Sequence, residues 1–487
     1  MFIFSYSKDI CRQRNFLDVV KKIENVIKVW RLRCLTLLGK ICIFKTLAIS
    51  KIISISFLSS VPCDVISTLE MIHKNFIWDN KRAKIKHITL IGNYAEGGLK
   101  DIDIKTKIDA LHLSWVNRLY DGNFHPWKLI PTFLFKKLSQ CSSTIFYPNF
   151  DVNSSHFLSF PVFYKNIIAK WISFSRSEPI TVSSILSESI WHNCNIRIGN
   201  CVIRPAFFNM NQPLFFSNLF DANGNFISWA HFRDKYSINN KLYFRWLQLK
   251  SCLPRSWVNT ISTNLRNFYN LCNFEPHVNF NARIITLDKL KSRAIYDRLI
   301  SKMFSPSTSQ AYYNNIFDVS ESWSKIYLTP RFSTIDTFSR VFQFKILHNI
   351  LYLNDRLFRM GLVDSPLCSL CNSYPESIDH LFCSCPITKS LWIFLQLHLR
   401  NHVVLNNLTP QSALLGFFDD ESDNFCLINH ILLIFKIFLF KFRAKNPTPI
   451  LLLSKLKQAI DLELCLCHSD RTKDRFNAKW KGILSVL

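Results

Sequence analysis

Glycine, proline and acidic residues are scarce in this chain. Only 10 of its 487 residues are Gly and 18 are Pro, too few for the many tight turns of a β-sandwich or for a long flexible linker, so a helical protein is expected. Asp and Glu total 34 against 60 Lys and Arg, a formal charge of +26. A surplus that large repels itself in a compact fold and is most readily explained by a polyanionic partner. No apolar run reaches the roughly 20 uninterrupted residues that a bilayer span requires. Ile52 to Val61 is short and bounded by Lys51 and Pro62, and Phe425 to Phe440 is interrupted by Asn429, His430 and Lys436. Both are expected to be buried core helices, and no membrane partner is expected. Met1-Phe-Ile-Phe meets Ser5, Tyr6 and Lys8 at once, too short an apolar run for a secretory leader. The 16 cysteines are spread irregularly from Cys11 to Cys467, mostly inside apolar stretches such as Ile41-Cys42-Ile43, where thiols act as small hydrophobes rather than as a disulfide framework. A reducing compartment, cytoplasmic or nuclear, follows as the expectation.

Apolar material is plentiful. A hydrophobic fraction of 48%, with 43 Phe and 12 Trp, lets a chain of this length build roughly two to four cores. Phe16, Val19, Val20, Ile23, Val26, Ile27 and Trp30 fall at three- and four-residue steps with Lys21, Lys22 and Lys28 between them, which predicts an amphipathic helix with a basic face. A second run carries Lys40, Lys45 and Lys51 and stops at Pro62. A third, Val65 to Trp78, places Ile66, Leu69, Ile72, His73, Phe76 and Ile77 on one side. Asp79-Asn80 is a turn signal, and Lys81, Arg82, Lys84 and Lys86 after it form the densest basic cluster. The expected organisation is a basic helical domain over 1–125, a middle region over 126–335 in which no period survives for long, and a helical C-terminal region over 336–487.

The chemistry concentrates in 18 residues. Cys368, Cys371, His380 and Cys385 are spaced C-x2-C-x8-H-x4-C, three thiols and one imidazole able to close a tetrahedral Zn2+ site. The bland alternative is four unrelated residues in a cysteine-rich chain, and the tight C-x2-C pair weighs against it. Cys383 competes for the fourth place, because H-x2-C would also reach. A closed site of this kind stabilises a small fold and leaves no position for a reacting water.

Two carboxylate pairs invite a catalytic reading. Phe418-Asp419-Asp420 lies in a Gly-Phe-Phe-Asp-Asp-Glu-Ser-Asp run with no preceding hydrophobic strand that carries a partner aspartate, and is expected to be a solvated loop. Asp101-Ile-Asp103 follows Gly97-Gly98 and is expected to be structural. No residue is assigned a catalytic or organic-cofactor role, and no small-molecule substrate is expected. Cys465, Cys467 and His468 lack a matching ligand pair nearby and are taken as incidental.

Together these residues resemble a known family. Phe344-Lys-Ile-Leu-His-Asn-Ile-Leu, Asn354, Leu357, Val363 to Cys371, Pro375-Glu376, His380-Leu-Phe, Cys385-Pro386 and Trp392 are similar to the zinc-binding segment that follows the reverse transcriptase of LINE-type, non-LTR retrotransposons. Trp30-Arg-Leu-Arg33, Leu35 to Lys40, Lys45 to Lys51, Phe76-Ile-Trp78 and Glu96-Gly-Gly-Leu-Lys100 resemble the thumb and post-thumb region of the same polyproteins. The resemblance implies a thumb-like first domain, metal ligands Cys368, Cys371, His380 and Cys385, and binding of RNA and of RNA–DNA or DNA duplex. Lys40, Lys45, Lys51, Lys81, Arg82, Lys84 and Lys86 are the candidate phosphate contacts. The family's metal-binding palm aspartates, its fingers and its endonuclease have no counterpart here. The expectation is therefore a truncated copy with no polymerase activity of its own. The competing expectation is a helical protein-interaction scaffold with a structural zinc.

Overall fold

The computed structural model describes residues 13–138, 142–153, 157, 160–176, 178–221, 224–264, 277–280, 283–317, 319, 322–400, 409–418 and 423–483. Among these the backbone is mainly α-helical, and its only strands are two short antiparallel hairpins. The chain divides into two compact units. One comprises Met1–Ile52, Cys63–Ile104 and Ile300–Leu487, the other Ile53–Pro62 and Lys105–Leu299. The first therefore draws on both the N-terminal and the C-terminal part of the sequence.

In the first unit, the helix Asp18–Arg31 buries Val19, Val20, Ile23 and Ile27 and leaves Lys21, Lys22 and Lys28 outside, as its periodicity predicts. The Thr36 hydroxyl accepts the Gly39 N–H at 3.2 Å and starts the helix Leu37–Ile43. The helix Cys63–Ile77 buries Val65, Leu69, Ile72, His73, Phe76 and Ile77, while Ile66, expected on this face, is only partly buried because Val65 takes the inward position at the first turn. These elements meet the C-terminal half through a small apolar group of Ile41, Ile77, Leu90, Leu99, Phe344 and Ile350. The double glycine lets them approach. Gly97 has φ +81°, and a Cβ there would lie 2.6 Å from Tyr327 Cζ; one on Gly98 would lie 2.0 Å from the Gly92 carbonyl oxygen. The Gly97 carbonyl accepts the His348 Nε2–H at 2.8 Å, and Ser307 Oγ meets His348 Nδ1 at 3.0 Å. Burial brings the His348 imidazole down to about 4 despite its bond to Gly97. A neutral ring with one donor and one acceptor nitrogen is what these two partners need.

The larger core of this unit gathers around the helix Asp423–Phe442, which packs against Trp323–Ser333, Thr337–Leu347, Pro386–Leu399, Pro449–Cys465 and Asp470–Trp480. Ile431, Phe435 and Leu439 on it are fully buried, each contributing about 1.5–3 kcal/mol through lost apolar surface. The Phe425–Phe442 window is long and apolar enough to cross a bilayer, yet 67% of it is buried inside the fold. Its polar side chains find internal partners. Asn429 exchanges two 2.8 Å hydrogen bonds with the Phe417 backbone. His430 meets Glu463 and Lys479, and Glu463 also accepts the Trp480 indole N–H at 2.8 Å. That cluster fastens the last helix.

The second unit takes in residues 126–299 of the stretch where no sequence period persists, together with Ile53–Pro62 and the residues from Lys105, and many of its elements are short. Helices such as Val162–Ser175, Trp229–Tyr236 and Tyr243–Cys252 are joined by single helical turns and by the hairpin pairing Arg197 with Val202 and Ile198 with Cys201. A second hairpin pairs His277–Phe280 with Arg283–Thr286. Aromatic packing holds the unit: Trp191, Phe216, Phe232 and Trp246 share one core, and Phe146, Phe150, Phe157 and Trp171 another.

Lys436 is the least comfortable group in the first core. It is 2% exposed, and its ammonium donates to the Leu414 carbonyl at 3.2 Å, an oxygen that also accepts from Gln343. Burial brings its pKa down to about 7 from 10.5. The unfolded chain therefore binds a proton between pH 7 and 10.5 that the folded chain does not. Lys436→Met is expected to stabilise by about 2 kcal/mol at or below neutral pH. The gain should shrink as pH rises towards 10.5, as measured by urea unfolding at several pH values.

Candidate metal centre and basic cleft

Between Pro366 and Glu376 the chain doubles back as a two-residue ladder, Leu367 bridging Pro375, with the Cys368 N–H donating to the Tyr374 carbonyl at 2.7 Å and the Glu376 N–H to Pro366 at 2.8 Å. Inside that loop the Asn372 N–H closes on the Cys368 carbonyl at 2.9 Å, and Asn372 takes φ +54°. Asn tolerates this left-handed turn better than most residues. It is what turns both cysteines of the pair to one side. His380 opens a π-helical turn over His380–Ser384, closed by the Cys385 N–H on the His380 carbonyl at 2.8 Å. Pro386 then starts the helix Pro386–Leu399. The extra residue of the π-turn separates its side chains. Leu381 and Phe382 enter the core, while His380 and Cys385 point back to the cysteine pair.

One ligand atom from each of Cys368, Cys371, His380 and Cys385 lies within 4.8 Å of the others, and Cys371 Sγ is 3.2 Å from His380 Nε2. Zn–S bonds of about 2.3 Å in a tetrahedron put sulfurs ~3.8 Å apart, so the arrangement fits zinc without rearrangement of the chain. Cys383 is not in the group. Its Sγ faces the Pro410 carbonyl at 3.8 Å, and burial, then Asp379, pushes its thiol up to about 12. The competition for the fourth position thus falls to Cys385. Burial also pushes the Cys368 thiol up to about 12. For Cys371 burial is outweighed by the Ser373 N–H, by His380 and by the Tyr374 N–H, and the thiol comes down to about 6. One sulfur is ready as a thiolate near neutral pH, and a divalent cation supplies the charge that lets the others ionise beside it.

Glu376, which the resemblance names without a role, braces this loop. The side chain is fully buried. Its Oε2 accepts the Ser369 N–H at 2.9 Å, and its Oε1 accepts the Asn354 N–H at 3.2 Å and faces Arg443 Nε at 3.1 Å. The Asn354 side chain adds bonds to the Leu367 carbonyl and the Ser369 hydroxyl. Behind the second half of the site, Thr388 donates to the Leu381 carbonyl and the Trp392 indole to the Phe382 carbonyl, with Trp392 stacked on Phe435 at 3.7 Å.

The basic candidates separate into two groups. Lys40, Lys81 and Lys84 line a concavity of about 370 Å³ in the first unit, together with Trp78, Phe338, Phe342 and Lys345, which residue type and spacing did not single out. Lys45, Lys51, Arg82 and Lys86 are exposed outside it, Lys45 donating to the Lys100 carbonyl at 2.6 Å. In the cleft, Lys40 pairs with Asp79 at 2.6 Å, and the Lys84 ammonium lies 3.8 Å over the Tyr352 ring. Burial, then Lys84 and Lys40, lowers the pKa of Lys345; burial, then Lys81 and Arg356, lowers that of Lys84. Of the two carboxylate pairs, Asp419 and Asp420 lie outside the described residues. Asp103 Oδ2 lies 3.9 Å from His87 Nδ1. The buried Asp101 meets His73 and His87.

Residues 307–392 match the family described as zinc-binding in reverse transcriptase. The match covers under a fifth of the chain and includes all four clustered donors. No match to the chain is found among curated proteins. The segment is therefore related to the zinc-binding region of reverse transcriptases, and its four-donor cluster is a zinc candidate on both counts. If Glu376 holds the loop, Glu376→Gln should weaken zinc binding about tenfold or more and cost about 3 kcal/mol of stability by leaving Arg443 uncompensated. Competition against a chelating dye and thermal unfolding check both, and an unchanged affinity would remove Glu376 from the site.

Proposed function

We propose that this chain is a LINE-type, reverse-transcriptase-derived protein that holds zinc in a structural Cys3His site and binds RNA and RNA–DNA or DNA duplex through the basic cleft beside it. The observation that carries the reading is the coincidence of the reverse-transcriptase zinc-region match with four donors converging on one point. The cleft supports the nucleic-acid part. Four lysines surround it, a single aspartate answers them, and Trp78 offers an aromatic wall. Such a surface recognises phosphate rather than base sequence.

The N-terminal region, thumb-like by resemblance, supplies Lys40 from the helix Leu37–Ile43 and Lys81 and Lys84 from the segment after Cys63–Ile77, and the matched zinc segment supplies Lys345. No polymerase carboxylates can be assigned within the 487 residues, so primer extension is not proposed for this chain. The zinc stabilises a loop and takes part in no reaction. On this reading its setting is the reducing cytoplasm or nucleus, where thiolate ligands persist.

The test is a salt titration. Affinity of the purified, zinc-loaded chain for an RNA–DNA duplex should fall with a log–log slope of about −2.7 if roughly three lysines neutralise phosphates. Lys84→Gln and Lys345→Gln should each flatten that slope by about 1 while leaving zinc content unchanged. A wild-type slope near zero would overturn the nucleic-acid reading and favour a protein-binding scaffold.

A further inference from the structure

The turn after the double glycine carries a second group of donors, far from the cysteines in sequence and different in chemistry. Asp101 is 2% exposed. Its Oδ1 accepts the Ile102 N–H at 2.8 Å and lies 3.0 Å from His73 Nε2. Its Oδ2 is buried, accepts no hydrogen bond, and lies 3.6 Å from His87 Nε2. Asp103 Oδ2 stands 3.9 Å from the other nitrogen of His87. One ligand atom each from His73, His87 and Asp101 falls within 4.8 Å of the others. His73 is fixed from behind by the Phe44 ring at 4.2 Å, and its edge faces the His87 ring at 5.5 Å. His73 and Asp101 are buried, and the His87 side chain is 44% exposed.

A buried carboxylate oxygen with no donor is costly. Here His73 lies within hydrogen-bond reach of Oδ1, and His87 lies just beyond it from the donorless Oδ2. Ligand bonds of about 2.0–2.1 Å in a tetrahedral zinc site separate nitrogen and oxygen donors by ~3.3 Å, and the observed 3.0 and 3.6 Å bracket that distance. The local charge also runs against the rest of the chain. Asp101, Asp103 and Glu70 surround His87 in a molecule whose formal charge is +26. We propose that His73, His87 and Asp101 form a second binding site for a divalent cation of the zinc class, with a coordination position open to solvent beside His87. The ion would take the place of the proton that His73 shares with Oδ1, because a ligating nitrogen must be deprotonated. It would also give Oδ2 the partner it lacks. Two imidazoles and one carboxylate form a harder donor set than three thiolates, so the two sites differ in spectrum as well as in place.

The experiment counts metal in the full chain, loaded with zinc under reducing conditions and desalted. Two equivalents are expected for the wild type. His87→Ala, at the solvent-facing ligand, should remove one and leave the circular dichroism unchanged, and Asp101→Asn should also remove one. Cys371→Ser should remove the other. With cobalt in place of zinc, the Cys371→Ser chain should keep visible d–d absorption without thiolate-to-cobalt charge transfer. A wild-type count of one that survives His87→Ala and disappears with Cys371→Ser overturns the second site and leaves the first standing. A cobalt spectrum in which every band is lost with Cys371→Ser overturns it as well.

Discussion

A single carboxylate, Glu376, sets the geometry on which the metal loop depends. Loops that carry metal ligands have few apolar contacts of their own, so something must hold them in register. Here a fully buried side chain reaches the backbone N–H of Ser369, between the two paired cysteines, and that of Asn354 at the start of the preceding helix. Its charge is met by Arg443 at the end of the long core helix. The guanidinium continues outward, donating to the Phe440 and Tyr352 carbonyls, and the Tyr352 ring lies under Lys84. The cysteine loop, the central helix and the edge of the basic cleft are thus joined by a short series of charged and polar contacts.

The two ends of the sequence meet through backbone that only glycine permits. Gly97 and Gly98 remove the Cβ atoms that would strike Tyr327 and the Gly92 carbonyl. What enters the space left is a neutral His348, bonded on one side to Gly97 and on the other to Ser307. Ser307 is also the first residue of the segment matched to the reverse-transcriptase zinc region. The structural role of the double glycine is therefore to dock the N-terminal helices on that segment. The same close approach brings Lys40 and Lys84 near Lys345.

Much of this was legible from residue type and spacing, because the deciding interactions are local. The helix over Cys63–Ile77 and most of its buried face follow from periodicity, and the core placement of the Asp423–Phe442 helix follows from the polar residues Asn429, His430 and Lys436 that interrupt its apolar run. The metal quartet follows from its spacing. The choice between Cys383 and Cys385 did not follow from spacing alone, because it turns on a π-helical turn that rotates one sulfur towards Pro410 and the other towards the cluster. The pairing of Asp101 with His73 and His87 was hidden for a different reason. Its members lie 28 and 14 residues apart, and only the folded turn after the glycines brings them together. Lys345 was hidden because a lysine among Phe344, Ile346 and Leu347 reads as a helix's one solvated position. In the fold that position faces a cleft.

The cleft itself is best understood through what it lacks. Lysines brought together on folding lose hydration and gain mutual repulsion, and both effects lower the pKa values of Lys84 and Lys345. A protein selected only for stability would place carboxylates among them or spread them over the surface. Asp79 answers Lys40 alone. The partial exposure of Lys84 and Lys345 to solvent screens this repulsion, and among the described residues no carboxylate beyond Asp79 lines the cleft to offset it. On the proposed reading, a bound anion would relieve this repulsion independently of any base contact. That is why affinity there should depend on ionic strength and be indifferent to sequence.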